Sequence, residues 1–171
     1  MTGNASTARS LEPAGGVTTI LLVEDQPDAQ QMLESIVQQV YPGAVTTACA
    51  TVAHALMQVG RPWSLALIDL RLLDGSGVDV LRAFKARHAE VPAVVTTMYS
   101  DDASVFGALQ AGADGYLLKS EPPQMLADAL RRIANEELPL SPAVARRVLR
   151  YFRASPGAGL LPPDSSNDAL T

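Results

Sequence analysis

The sequence predicts an α/β fold, a doubly wound parallel sheet of five strands with crossover helices on both faces. Two observations predict it. Five short runs rich in Val, Ile and Leu recur along the chain, each followed by a stretch with helical spacing, which is the pattern of strands buried on both faces. Four of these runs end on polar residues: Glu24 and Asp25 after TTILLV, Asp69 after SLALI, Thr97 after PAVVT and Lys119 after DGYLL. In an open parallel sheet, ligands bind beyond the carboxyl ends of the strands. Three carboxylates, a hydroxyl and an ammonium are therefore expected to converge there.

Residues 1–16 are small, polar and Gly/Pro-containing, and are expected to form a disordered tail. Strand one is expected over 17–23 and helix one over 28–40, where Met32, Ile36, Val37 and Val40 recur at helical spacing. Asp25 alone reads as a cap for that helix. Strand two covers 45–49, and a short helix over 52–59 stops at Gly60. Strand three covers 65–70, and Asp74-Gly75-Ser76-Gly77 reads as a loop before helix three over 78–87. Strand four follows Pro92 over 93–97. Helix four, over 103–110, can be capped by Ser100 or Asp101 and ends near Gly112. Strand five covers 115–118 and helix five 123–135. A linker segment over 136–154 holds a sixth helix, 142–153, with Ser141 as its N-cap and Pro142 as its first residue. Its apolar stripe is Val144, Val148, Leu149 and Phe152, and its arginines read as a solvated face. Residues 155–171, rich in Pro, Gly, Ser and Asp, read as a flexible linker.

With 171 residues, 47% of them hydrophobic, the chain can build one full core. A net charge of −5 argues against a general nucleic-acid surface, so DNA binding by this chain alone is not expected. The single cysteine, Cys49, cannot close an internal disulfide and reads as core, which fits a reducing, cytoplasmic setting. No apolar run approaches the ~20 residues that span a bilayer, so no membrane partner is expected.

The converging groups carry −3 from Glu24, Asp25 and Asp69 against +1 from Lys119. Two like charges ~4 Å apart repel by about 4 kcal/mol at an effective dielectric near 20. A divalent cation removes that imbalance, and an all-oxygen donor set suits Mg²⁺. Asp69 is then a possible nucleophile toward phosphorus, and Lys119 and Thr97 can bind phosphoryl oxygens. Thr96 is the outside choice for the hydroxyl. His54 and His88 are isolated and are not expected to be ligands or phosphoacceptors. The glycines of 75–77, 112 and 115 read as turn and cap residues.

Over residues 17–135 the chain resembles a response-regulator receiver domain. The matching words are LLVEDQPDA, ALIDLRLLDGSGVDVL, VPAVVTTMYSDD and GADGYLLKS, and intervals of 44, 28 and 22 residues separate Asp25, Asp69, Thr97 and Lys119. The resemblance implies a flavodoxin-like sheet of order 2-1-3-4-5. It implies that Asp69 is the phosphoacceptor, that Asp25 binds Mg²⁺ directly, that Glu24 acts mainly through a metal-bound water, and that the Arg71 backbone carbonyl completes the ligands. Thr97 and Lys119 would contact the phosphoryl group. Thr97 and Tyr116 would form the switch, in which the hydroxyl moves toward the phosphoryl group and the ring turns inward. Met98 follows Thr97 and Ser120 follows Lys119, where the wider family has a small residue and a proline. A trans peptide is therefore expected after Lys119.

The implied function is signal transduction. A histidine kinase or phosphotransfer protein would phosphorylate Asp69, and a surface near helix four, strand five and helix five would change its contacts, with a homodimer as one candidate outcome. LSPAVARRVLRYFR resembles the segment before the helix-turn-helix domain of LuxR/NarL-type regulators, which suggests transcriptional control through an output domain absent from this chain. A stand-alone receiver acting by protein binding is the alternative. A phosphatase of the haloacid-dehalogenase type ranks lower, because Arg71 stands where such enzymes place a second aspartate. Beyond self-phosphorylation and self-dephosphorylation, no enzyme activity is expected.

Overall fold

A computed structural model describes residues 17–133, 137 and 139–154. The expected tail over 1–16 and flexible linker over 155–171 lie outside the described residues. The main sheet is built from β1 (Thr19–Val23), β2 (Val45–Cys49), β3 (Leu65–Ile68), β6 (Ala93–Thr97) and β7 (Gly115–Leu118). Between β3 and β6 lies a small antiparallel hairpin, β4 (Arg71–Leu72) with β5 (Gly75–Ser76). The sheet order is β2-β1-β3-β6-β7 with every pair parallel. With the hairpin set aside, this is the 2-1-3-4-5 order that the resemblance implied.

Alternation along the strands divides the core into two layers. Ile20, Leu22, Leu65, Leu67, Val94 and Leu117 pack with Leu33, Ile36 and Val37 of α1 (Pro27–Val40) and Leu126 and Leu130 of α5 (Pro123–Ile133). Leu21, Val23, Ile68, Val95 and Tyr116 line the opposite face. That face packs against α2 (Val52–Gln58), α3 (Gly77–Arg87) and α4 (Asp102–Gln110). Cys49 is buried, and burial pushes its thiol pKa up.

Local chemistry fixes the helix starts. Asp101, not Ser100, caps α4 by accepting the Ser104 N–H at 3.1 Å. The N-cap of α1 is Gln26, which makes no side-chain cap bond, so Asp25 does not serve as that cap. Asp74, read from sequence as a loop residue, sits at the hairpin tip and accepts the N–H groups of Val52 and Ala53 at 2.8 and 3.1 Å. These bonds hold its carboxyl below the usual range and tie the hairpin to the first turn of α2. His88 links the end of α3 to the end of α2, with Nε2 2.7 Å from the Val59 carbonyl oxygen.

The sixth helix, α6 (Pro142–Ala154), keeps Arg146, Arg150 and Arg153 exposed, as the solvated-face reading expected, but it is not free of the domain. It docks on the domain. Val144 is fully buried in the same layer as Tyr116, while Leu149 and Phe152 of the expected apolar stripe are exposed. Arg147 Nη1 donates to Asp102 Oδ1 at 2.6 Å, so this arginine belongs to a contact with α4. Ser141 stands at the expected N-cap position, its carbonyl accepting the Ala145 N–H at 2.9 Å, while its hydroxyl oxygen accepts the Leu118 N–H at 2.8 Å. Among the described residues there is no cis peptide bond, as expected after Lys119, and no helix is long and apolar enough to cross a membrane.

Candidate functional site

Glu24, Asp69 and Lys119 each stand one step beyond a strand, with the amide still inside the sheet's hydrogen bonding, and Asp25 follows Glu24. Glu24 donates its N–H to the Cys49 carbonyl at 3.0 Å, Asp69 to Val23 at 2.9 Å, and Lys119 to Thr97 at 2.8 Å. The backbone is therefore fixed up to these residues, and their side chains gather at the carboxyl edge of β1, β3 and β7. The sheet's order explains the meeting of residues far apart in sequence: β1 and β3 are neighbours, and β6 separates β3 from β7.

Glu24, Asp25 and Asp69 come together, with one carboxylate oxygen of each lying within 4.8 Å of the others. Lys119 reaches across the group. Its Nζ donates to Glu24 Oε2 at 2.6 Å and to Asp69 Oδ2 at 2.9 Å, and all three side chains are under a tenth exposed. Glu24 Oε1 also accepts the Gln26 N–H at 3.1 Å. Burial raises the Glu24 pKa above its ordinary value, outweighing the opposing bonds from Lys119 and Gln26. For Lys119, burial works against the ammonium, but the bonds to Glu24 and Asp69 outweigh it and raise its pKa. One cation thus bridges two buried carboxylates and leaves the third, Asp25, at the half-buried rim.

Two buried oxygens at this edge have no hydrogen-bond partner among the described residues, Asp69 Oδ1 and Thr97 Oγ1. Buried polar groups are ordinarily paired, so each is an acceptor or donor held in reserve. Thr96, the outside choice, also has an unpartnered buried hydroxyl, but its position in strand alternation is opposite to Thr97. The Tyr116 ring is fully buried, and its hydroxyl donates to the Tyr99 carbonyl, two residues past Thr97. Burial raises the phenol pKa and keeps it a donor.

The response regulator receiver domain family matches residues 20–131. The chain belongs to that family. Response regulator protein PilR of Pseudomonas aeruginosa is 33% identical over 116 residues, which cover 65% of this chain and 26% of PilR. The nitrate/nitrite response regulator NarP of Escherichia coli is 27% identical over 136 residues, 78% of this chain and 61% of NarP. The chain thus spans only part of these curated relatives. A LuxR-family response regulator from Aurantimonas sp. SI85-9A1 superposes with a TM-score of 0.69 at 23% identity, covering 82% of this chain and all of that one, which shows the shared fold.

Three features of this receiver domain escape a reading of its sequence. Gly77 is more than a turn residue, because a Cβ there would run into the carbonyl group of Asp69, 2.8 Å from its carbon. The Arg71 guanidinium stacks 3.5 Å from the centroid of the Tyr99 ring and lies 3.7 Å from Asp101 Oδ1, fastening the loop after β6 to the loop after β3. Residues 139–141 pair with the free edge of β7. The glycine of an Asp-Gly-Ser-Gly cluster is the visible trace of the first, and nothing in hydrophobic periodicity marks the other two.

Proposed function

We propose that Asp69 accepts a phosphoryl group from a histidine kinase or phosphotransfer protein. The observation that carries this is the split environment of its carboxylate: Oδ2 is held by Lys119, whereas buried Oδ1 has no partner. Asp69 therefore has coordination to give. A bond forms between an Asp69 oxygen and phosphorus while the donor's phosphorus–nitrogen bond breaks, and the departing imidazole nitrogen takes up a proton. The product is an acyl phosphate, which water can later cleave.

The residues fit Mg²⁺. The donors are all oxygen, three carboxylates face one ammonium, and Asp69 Oδ1 is unpartnered. Glu24, Asp25, Asp69 and the Arg71 backbone carbonyl would hold the ion, which supplies neutralisation of charge on the phosphoryl oxygens. Both Glu24 oxygens are already engaged, which suits contact through a metal-bound water. Lys119 turns part of its hydrogen bonding to a phosphoryl oxygen, and the unpartnered Thr97 hydroxyl donates to another. Through Tyr99, the displacement of Thr97 reaches Tyr116, whose ring already occupies the inward position. Phosphorylation then strengthens a packing that the chain can adopt without it.

The reaction is confined to the protein's own aspartate, so the domain is a switch and not an enzyme acting on external phosphate esters. Position 71, an arginine stacked on Tyr99, offers no second carboxylate for such turnover. A cytoplasmic location, and transcriptional control through an output domain outside this chain, belong to the same reading, supported by the regulators it resembles. The test is mass spectrometry after treatment with acetyl phosphate and Mg²⁺. The wild type gains one phosphoryl group and Asp69→Asn gains none. Equal labelling of the two proteins overturns the assignment.

A further inference from the structure

The free edge of the sheet is closed by the chain itself. Tyr116 N–H donates to the Pro139 carbonyl at 2.8 Å, and the Tyr116 carbonyl accepts the Ser141 N–H at 3.0 Å, so both backbone polar groups of Tyr116 are bound by this segment. Leu140 forms a parallel bridge with Tyr116. The edge is shaped for the purpose: a Cβ on Gly115 would lie 2.7 Å from the Pro139 carbonyl oxygen and collide with its ring. Past Ser141, α6 lies on α4 through the Arg147–Asp102 pair and through Tyr151, whose ring centroid is 4.5 Å from that of Phe106. Residues 139–154 thus form a strap over the β7–α4 face.

We propose that this strap is coupled to the phosphoryl site through Tyr116, so that docking of the strap and occupation of Asp69 by a phosphoryl group favour each other. The inference rests on the receiver reading above and deepens it. The Tyr116 ring is gripped at its hydroxyl by Tyr99, on the segment that leaves Thr97, and is packed in one cluster with Val144 of the strap. Val144 of the strap and the Tyr116 ring are both fully buried in that cluster, so a ring leaving it opens the packing that Val144 shares. An outward ring and a docked strap therefore oppose each other. The start of α4 adds a second link, since Asp101 meets Arg71 beside the site while Asp102 meets Arg147 of the strap. Whatever holds the ring inward holds the strap down. By thermodynamic reciprocity, the strap returns the same bias to the phosphoryl site.

Hydrogen–deuterium exchange of residues 139–154 in the full chain tests this, with beryllofluoride plus Mg²⁺ as the phosphoryl mimic. Beryllofluoride should slow exchange across the strap by about fivefold or more, the lower end of ordinary coupling between sites. Arg147→Glu should speed exchange without the mimic and weaken beryllofluoride binding by the factor the mimic loses in tightening the strap. Adding Asp102→Arg to Arg147→Glu should restore both. Gly115→Ala loosens the strap from its other end and should reproduce the loss, which separates strap docking from the α6 charge itself. If beryllofluoride binds the wild type and strap exchange stays unchanged, the strap is a passive edge cover and the coupling is wrong, with the receiver reading intact. If beryllofluoride does not bind in the presence of Mg²⁺, the receiver reading fails and takes the coupling with it.

Discussion

Gly77 lies against the backbone of Asp69 so closely that a methyl group on its Cα would overlap the Asp69 carbonyl. The Gly77 N–H also donates to the Leu70 carbonyl at 2.7 Å, so the start of α3 is pinned to the loop that carries Asp69. Gly77→Ala therefore forces backbone against backbone, where no side chain can yield. The expected cost is about 1–3 kcal/mol, as for other overpacked sites, read as a lower urea midpoint at unchanged slope. Slower labelling of Asp69 should accompany it. An unchanged midpoint would show that the α3 start moves freely relative to Asp69.

Lys119 is the cation that Glu24 and Asp69 share, and all three side chains are buried. Replacing it by methionine keeps much of its apolar stem and removes the charge. Two buried carboxylates are then uncompensated, and breaking a buried pair in this way typically costs about 3–5 kcal/mol. Mg²⁺ should return part of that loss, because it can neutralise the same oxygens. Thermal unfolding of Lys119→Met with and without Mg²⁺ checks both statements. A loss that Mg²⁺ does not lessen would mean that the carboxylates do not jointly hold the ion.

These two residues mark the limits of what the sequence discloses. Lys119 was legible because a charged residue directly after a buried apolar run has one place to go, the sheet's carboxyl edge. The five strands were legible for the same reason, since VVT or LALI buried on both faces admits little else. Gly77 was visible only as a turn residue, because close approach to another backbone leaves no periodic signal. The β4–β5 hairpin is two residues a side, too short for alternation to register. The docking of the strap escaped the sequence, which marks only a linker helix with a solvated arginine face, because it depends on two backbone bonds to Tyr116, the Ser141 hydroxyl and one fully buried valine, while half of the stripe expected of α6 is exposed.

Glu24 supplies a pH dependence with a definite sign. Its folded pKa is raised above the ordinary 4.5, first because it is buried. The fold thus favours the protonated form, and the contribution of Glu24 to stability is present below pH 4.5 and lost as pH rises through the raised folded value. Metal binding runs the other way, since it needs the carboxylate. Mg²⁺ affinity should fall as pH drops through the raised value, beginning above the range of an ordinary glutamate. Calorimetric Mg²⁺ titrations across the acid range, on wild type and Glu24→Gln, measure this. The variant should bind more weakly and lose that part of the pH profile. Identical profiles would remove Glu24 from the metal site.

Thr97 separates stability from function most cleanly. Its side chain is fully buried and its hydroxyl has no partner among the described residues. Valine has nearly the same shape and no hydroxyl to desolvate. Thr97→Val should therefore stabilise the domain by about 1 kcal/mol, the low end of what burying an unpaired hydroxyl costs. Mg²⁺ binding should be unaffected, because the three carboxylates are untouched. Beryllofluoride binding should weaken by about tenfold, the value of one hydrogen bond to a charged group. Urea denaturation and equilibrium titration of the same protein give both numbers, and their opposite signs are the diagnostic. A purely structural threonine would lose stability on substitution and leave beryllofluoride affinity where it was.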